Sequence, residues 1–207
     1  ADKDGFTLDT SNPPVAVVCG TTPYGAAIRV ALHKGGSLEW AKDGTTGYTT
    51  KFEEIVCTPS VYNQNGAALT AAFTGDEDGS DNWDYICSVD SEGTANAAVN
   101  YPAFNWVNTY NTRYASKLGS ARPAWYMPSI AELCQVYKNK DAVNASLSKI
   151  GSLNGSYADT SLGMYPHWSS SQTSYDIYTA WYQAFAVNAI YNLLKSNPCS
   201  VCCIAGF

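Results

Sequence analysis

The sequence predicts an α+β domain, on three observations. Two helix start signals in the middle of the chain are each followed by apolar residues at helical spacing. Short β-branched runs bounded by Gly, Pro and Thr mark strands near the beginning. Late in the chain, AWYQAFAV alternates at period two, with Trp181, Gln183 and Phe185 on one side and Tyr182, Ala184 and Ala186 on the other. With 207 residues, 45% hydrophobic and 13% aromatic, the chain can bury a full core without a metal or an oligomer. One monomeric domain with an elaborated first half is the expected organisation, without internal repeats.

Taken in order, residues 1–13 read as a polar arm. Val15 to Cys19 and Ala27 to Leu32 form a strand pair around Gly20-Thr21-Thr22-Pro23-Tyr24-Gly25. Leu38 to Ala41 precedes the turn-rich KDGTTGYTT, a loop or hairpin, and Phe52 to Cys57 is a further short strand. Asn63 to Glu92 reads as an acidic loop. Its Asp76, Asp78, Asp81 and Asp84 have the two- and three-residue spacing that supplies hard oxygen ligands to calcium, but the closing Glu of an EF-hand is missing. A solvated acidic turn is the expectation, with no metal and no cofactor.

A helix is predicted from Tyr101-Pro102 to about Lys117, with Pro in its first turn and Gly119-Ser120 as its end. The clearest start is Pro128-Ser129-Ile130-Ala131-Glu132, where Ser and Glu stand at capping-box spacing and Ile130, Leu133, Cys134 and Tyr137 form the buried face. Val143 to Ile150 is a short third helix stopped by Gly151.

Composition removes several function classes. A net charge of −6 and a pI near 4.7, with no local Lys/Arg cluster, argue against nucleic acid. No apolar run is long enough to cross a bilayer and no charged-then-apolar leader opens the sequence, so membrane association is expected only through a lipid anchor absent from it. The seven cysteines (Cys19, Cys57, Cys87, Cys134, Cys199, Cys202, Cys203) are an odd number. Cys199 and Cys202 lack the second pair of a zinc ribbon, and the others sit among apolar neighbours as buried thiols do, with a Cys57 to Cys87 bridge the alternative. His33 and His167 are the only imidazole bases, neither in a nucleophile motif, and His167 beside Trp168 reads as a packing residue.

From Trp168 to Phe207 the only charged side chains are Asp176 and Lys195, and Ala189, Ile190, Tyr191, Leu193 and Leu194 follow neither a helical stripe nor strict alternation. Tyr, Ser and Asn in such a segment are the vocabulary of a binding surface, because Tyr brings large contact area at low entropy cost.

The order Trp125-Tyr126-Met127-Pro128-Ser129-Ile130-Ala131-Glu132-Leu133, then Val143-Asn144-Ala145-Ser146-Leu147, then Trp168-Ser169-Ser170-Ser171, then Ala180-Trp181, resembles a bacterial family of C-type lectin-like domains. More narrowly it is similar to the variable proteins of diversity-generating retroelements, the treponemal branch in particular. The resemblance covers roughly the second half of the chain. It implies a lectin-like fold of the formylglycine-generating-enzyme type, with Val201 to Phe207 as the closing strand, paired near the start of the chain. It further implies a non-catalytic display protein at the cell surface, exported and lipid-anchored to the outer membrane, whose 3′ coding end is rewritten at template adenines.

Rewritten Asn codons reach most residues but not Lys, Glu, Gln, Met or Trp, which assigns Trp181, Gln183 and Lys195 to an invariant scaffold. The variable, ligand-binding positions implied are Thr173, Tyr175, Asp176, Ile177, Tyr178, Tyr182, Ala184, Ala186, Val187, Ala189, Ile190, Tyr191, Leu193, Leu194, Ser196 and Cys199, within a variable region spanning 168–207. The partner is an unidentified protein, with a glycan bound without calcium as the alternative. An oxidase using Cys202 and Cys203 is the remaining rival, against which neighbouring strand residues point oppositely.

Overall fold

The computed structural model describes residues 13–153, 158–159 and 161–206. The predicted polar arm, except for Pro13, and the terminal Phe207 lie outside the described residues. The strands are β1 (Ala16–Thr21), β2 (Ala27–Leu38), β3 (Cys57–Pro59), β4 (Phe73–Gly75), β5 (Pro166–Gln172), β6 (Thr179–Ala184), β7 (Ala189–Leu194) and β8 (Cys199–Ala205). The helices of the first half are α1 (Thr46–Thr49), α2 (Ala67–Thr70), α3 (Asn82–Val89), α4 (Ser91–Thr94) and α5 (Ala97–Asn100). They continue with α6 (Pro102–Asn108), α7 (Tyr110–Arg113), α8 (Ala115–Leu118), α9 (Ile130–Lys138) and α10 (Lys140–Leu153).

The architecture is α+β: a six-stranded sheet in the order β1-β2-β8-β5-β6-β7, with β3 and β4 as a separate two-stranded sheet. Every pairing is antiparallel except β5 with β8, which run parallel at His167 and Ser200. The late strands thus join the early ones through β8, which pairs with β2.

β8 lies between two cores, and this explains the apolar run over 201–205. Cys202 and Ile204 pack with Ile130, Leu133, Val136 and Leu147 of α9 and α10. Val201, Cys203 and Ala205 pack on the other side with Phe104, Trp106, Val107 and Tyr110 of α6 and α7. The opposite pointing of Cys202 and Cys203 expected from strand geometry is what the two cores display.

Several element boundaries differ from the sequence reading. The acidic stretch is not all loop: it contains α2, β4 and α3. The helix expected over 101–117 is three short ones, interrupted at Thr109 and Tyr114, where the backbone leaves helical geometry (Tyr114 at φ −112°, ψ 23°). The third helix begins earlier and runs through Gly151, which is buried with Ala158 O 3.1 Å from where a Cβ would stand. β2 continues past Leu32, because Gly35 lets the strand close on Trp106 and Val201, which a Cβ there would approach to 2.9 Å. Phe52 to Cys57 forms a 3-10 turn, Glu53–Ile55, and only then β3.

Candidate binding face

The frame beneath the late strands is tied by tryptophans and serines. Trp168 and Trp181 are fully buried, and each indole N–H is satisfied: Trp168 Nε1 donates to Leu38 O at 2.9 Å and Trp181 Nε1 to Cys57 O at 2.6 Å. The buried serines between them supply polar partners where an apolar residue could not. Ser169 Oγ donates to Trp181 O (2.8 Å), Ser170 Oγ accepts from Asn82 Nδ2 (2.8 Å), and Ser171 Oγ accepts from Ile130 N (3.0 Å) at the start of α9. Ser129 Oγ caps that helix through Glu132 N, while Glu132 Oε2 accepts from Ser129 N at 2.9 Å. The two motifs that carry the resemblance therefore meet in space.

Register assigns the faces. Tyr182 pairs with Trp168 on one side and Tyr191 on the other, and Ala180 pairs with Leu193; Trp181 pairs with Asn192 and Gln183 with Ile190. Paired residues share a face. The Trp181 face turns toward α9, where Gln183 Oε1 accepts from Cys134 Sγ at 3.4 Å and Phe185 meets Tyr137. The Tyr182 face is half-open. Tyr182 and Tyr191 are half-buried with ring centroids 5.7 Å apart, and Tyr182 meets the edge of buried Trp168 at 6.1 Å.

Of the positions expected to vary, Tyr175, Tyr178, Ala186, Val187 and Leu194 are exposed, and Asp176, Ile177, Tyr182, Tyr191, Leu193 and Ser196 are half-buried. Thr173, Ala184, Ala189, Ile190 and Cys199 are buried, which corrects their expected place on a solvent surface. Thr173 closes the loop ahead of β6, its Oγ1 2.7 Å from Thr179 Oγ1 and donating to Asp176 O. Ile190 packs with Trp181 in one core and Cys199 with Trp168 in the other, while Ala184 and Ala189 pair with each other where β6 turns into β7. Period-two patterning could not reveal this, because both faces of the hairpin are partly covered.

Two tyrosines from the first half join the outer surface, which motif reading missed. Tyr48 of α1 lies 5.4 Å from Tyr178, and Tyr62 lies 6.4 Å from Tyr175 with rings 23° from parallel, both Tyr62 and Tyr175 covering Trp181 on its own face at 5.1 and 6.1 Å. Asn192 Nδ2 donates to Tyr175 OH at 2.7 Å. The only signal in the sequence was an aromatic residue inside each of two polar turns, KDGTTGYTT and VYNQNG. The outer edge of β7 is partly covered by the same region, since Asn63 N donates to Ile190 O at 2.8 Å and Gly66 N to Asn188 O at 2.9 Å.

Lys195, assigned to the scaffold, is fully buried. Its Nζ donates to Gly47 O (3.0 Å) and Thr50 O (2.9 Å) and lies 4.8 Å from the Trp40 ring centroid. Burial holds its pKa down to about 7, against the opposing charge of Asp176.

The remaining titratable groups are committed elsewhere. His167 is buried, its Nδ1 2.9 Å from Tyr165 O and its ring stacked on Phe185 at 4.6 Å. His33 lies between Asp159 (3.3 Å) and Lys117 (3.2 Å) and stacks on Tyr114. All seven cysteines are free thiols, so Cys57 and Cys87 are not bridged. Burial pushes the Cys202 thiol up to about 12 and Cys203 well above its ordinary value, away from the reactive thiolate. In the acidic stretch, Asp78 Oδ1 accepts from Ser80 N at 2.9 Å and lies 2.9 Å from the Tyr24 hydroxyl oxygen, and Asp76 Oδ1 accepts from Asp78 N at 3.0 Å. Among the described residues no three His, Cys, Asp or Glu side chains group in a way that could hold a metal ion.

No family model matches the chain, and no curated protein matches it. Among solved structures, a fimbrial protein from Bacteroides ovatus shares the fold, with a TM-score of 0.60 at 14% identity. The match covers 99% of this chain and 46% of that protein, so the chain spans less than half the length of its structural neighbour.

Proposed function

We propose that this chain is a non-catalytic binding module of a cell-surface protein, in which a rigid lectin-like frame presents a replaceable outer skin near its carboxyl end. One observation carries the reading: in β6, Trp181 is sealed while its neighbour Tyr182 is half-open beside Tyr191. Side chains that contribute little to the core can be exchanged without loss of the fold, whereas Trp168, Trp181 and Phe185 cannot. The likeness to a fimbrial protein agrees with display at the surface, and export with a lipid anchor belongs to the same reading. Binding energy would come from a few aromatic anchors, Tyr182 and Tyr191 first.

Within this reading the outer positions are those rewritten by a diversity-generating retroelement: Tyr175, Asp176, Ile177, Tyr178, Tyr182, Ala186, Val187, Tyr191, Leu193, Leu194 and Ser196. The partner is a protein. Glycan binding is the second reading, favoured by the exposed, nearly parallel Tyr62 and Tyr175 rings, which offer flat apolar faces beside the Asn192 amide.

Sequencing this gene and its flanking DNA across a population of the source bacterium tests the proposal. The expected result is a reverse-transcriptase gene and a near-copy of the 3′ end nearby, with differences concentrated at the outer positions. Differences spread over Trp168, Trp181 and Lys195 as often as over Tyr182 and Tyr191, with no such near-copy, would overturn it.

A further inference from the structure

Two buried polar side chains of the late segment converge on one short stretch of the first half. Lys195 Nζ donates to Gly47 O and Thr50 O at 3.0 and 2.9 Å. Gln172 Nε2 donates to the same Thr50 O at 3.3 Å and to Ile177 O at 3.0 Å, while its Oε1 accepts from Phe52 N at 2.9 Å. Gln172 ends β5 just ahead of the 173–178 loop, and Lys195 follows the last residue of β7. Both ends of the outer surface are therefore tied to residues 47–52. That stretch carries Tyr48, whose ring meets Tyr178.

A buried ammonium is an expensive way to fill space, since an apolar side chain of similar length would avoid its desolvation. What the ammonium adds is direction: charge-assisted donors aimed at two carbonyls fix a backbone where packing alone would let it slide. Gly47 is part of the same joint, because a Cβ there would overlap the Tyr101 hydroxyl, and its absence leaves α1 close enough for its carbonyl to reach Lys195.

We propose that Lys195 and Gln172 are positioning residues of the binding face. They hold residues 47–52, and with them Tyr48, in one arrangement against the 173–178 loop, whatever side chains the outer positions carry. The proposal rests on the binding-face reading, but its test needs no ligand. The charged groups around the joint are Asp176 of the loop, which favours the ammonium, and the outward Lys51–Glu53 pair on the held stretch itself.

Amide hydrogen exchange on the whole chain, with and without Lys195→Met, decides the matter. Met keeps an unbranched side chain of similar length and removes the donors, together with the ammonium over the Trp40 and Phe52 rings. Exchange in residues 46–52 and 174–178 should rise at least about tenfold while α9 and β8 keep their protection. Opening of 46–52 returns Lys195 to water, so the open state binds more protons above about pH 7. In the unaltered chain, protection of 46–52, corrected for intrinsic exchange, should therefore rise with pH above about 7, the value to which burial lowers Lys195; the variant should lack this step. Unchanged protection at 46–52, or an equal loss throughout α9 and β8, would overturn the proposal. Should Lys195→Met fail to fold, the pH step in the unaltered chain still decides: its absence refutes the positioning role. A face that binds nothing would leave these rates as they are, so the two readings fail separately.

Discussion

Lys195 and His167 are two side chains through which pH acts on this fold. The unfolded chain holds the Lys195 proton up to the ordinary lysine value of 10.5, whereas burial makes the folded chain release it near pH 7. Between these values the unfolded state binds more protons, so this group makes stability rise with pH. Denaturant titrations at pH 7 and pH 8.5 should show Lys195→Met losing that part of the rise, seen as a difference from the unaltered chain. His167 acts at the acid end. Its pKa is lowered by burial from 6.5 to about 4, and among the described residues its Nε2 has no partner that could accept a proton's hydrogen bond. The unfolded chain takes up that proton first, so the contribution of His167 to stability falls as pH drops from 6.5 toward 4, against the opposite contribution of Asp76, whose pKa burial raises to about 6. His167→Phe should flatten this acid limb in the same measurement, and an unchanged limb would assign the loss to other groups.

Among the elements, α9 is the one whose position the rest depends on, and it was the most legible. Its capping box was visible as Ser129 and Glu132, and the structure adds why both are buried: Glu132 also accepts from Gly79 N, Tyr24 OH and Tyr126 OH, tying three segments to one carboxylate. Ser129→Ala should cost about 1–2 kcal/mol in chemical denaturation, the range of a lost N-cap, and no measurable cost would remove the cap from the account. The first strand pair was also legible, because β-branched runs and turn residues coincide there, whereas the closing strand was expected from the resemblance alone. The broken helices α6 to α8 were not, since local breaks at Thr109 and Tyr114 leave the apolar spacing nearly helical. α2 and α3 were hidden for another reason: acidic and amide residues around them resemble a solvated loop, while the few that matter, Ala67, Ala68 and Ile86, are buried by tertiary contacts that no local pattern announces. The burial pattern of the candidate face was legible only in part, for the same cause. Strand alternation separated Trp181 from Tyr182, yet could not tell that Ile190 and Cys199 face inward or that Tyr48 and Tyr62 come from elsewhere to join the surface.

At the scale of the whole molecule, early and late strands share one sheet through β8, and a core lies on each side of it. The account predicts a division of labour: the cores set stability and the outer residues of the late hairpin set recognition. Thermal unfolding of two variants tests this most directly. Replacing Tyr178, Tyr182, Tyr191 and Leu194 together by Ser should leave one cooperative transition, lowered by no more than about 8 °C, since about 2 kcal/mol moves a chain of this size by 4–8 °C. Trp181→Ala alone should lower it further, because emptying a buried aromatic site costs about 3–5 kcal/mol. A fourfold variant that unfolds while Trp181→Ala melts like the unaltered chain would contradict the account.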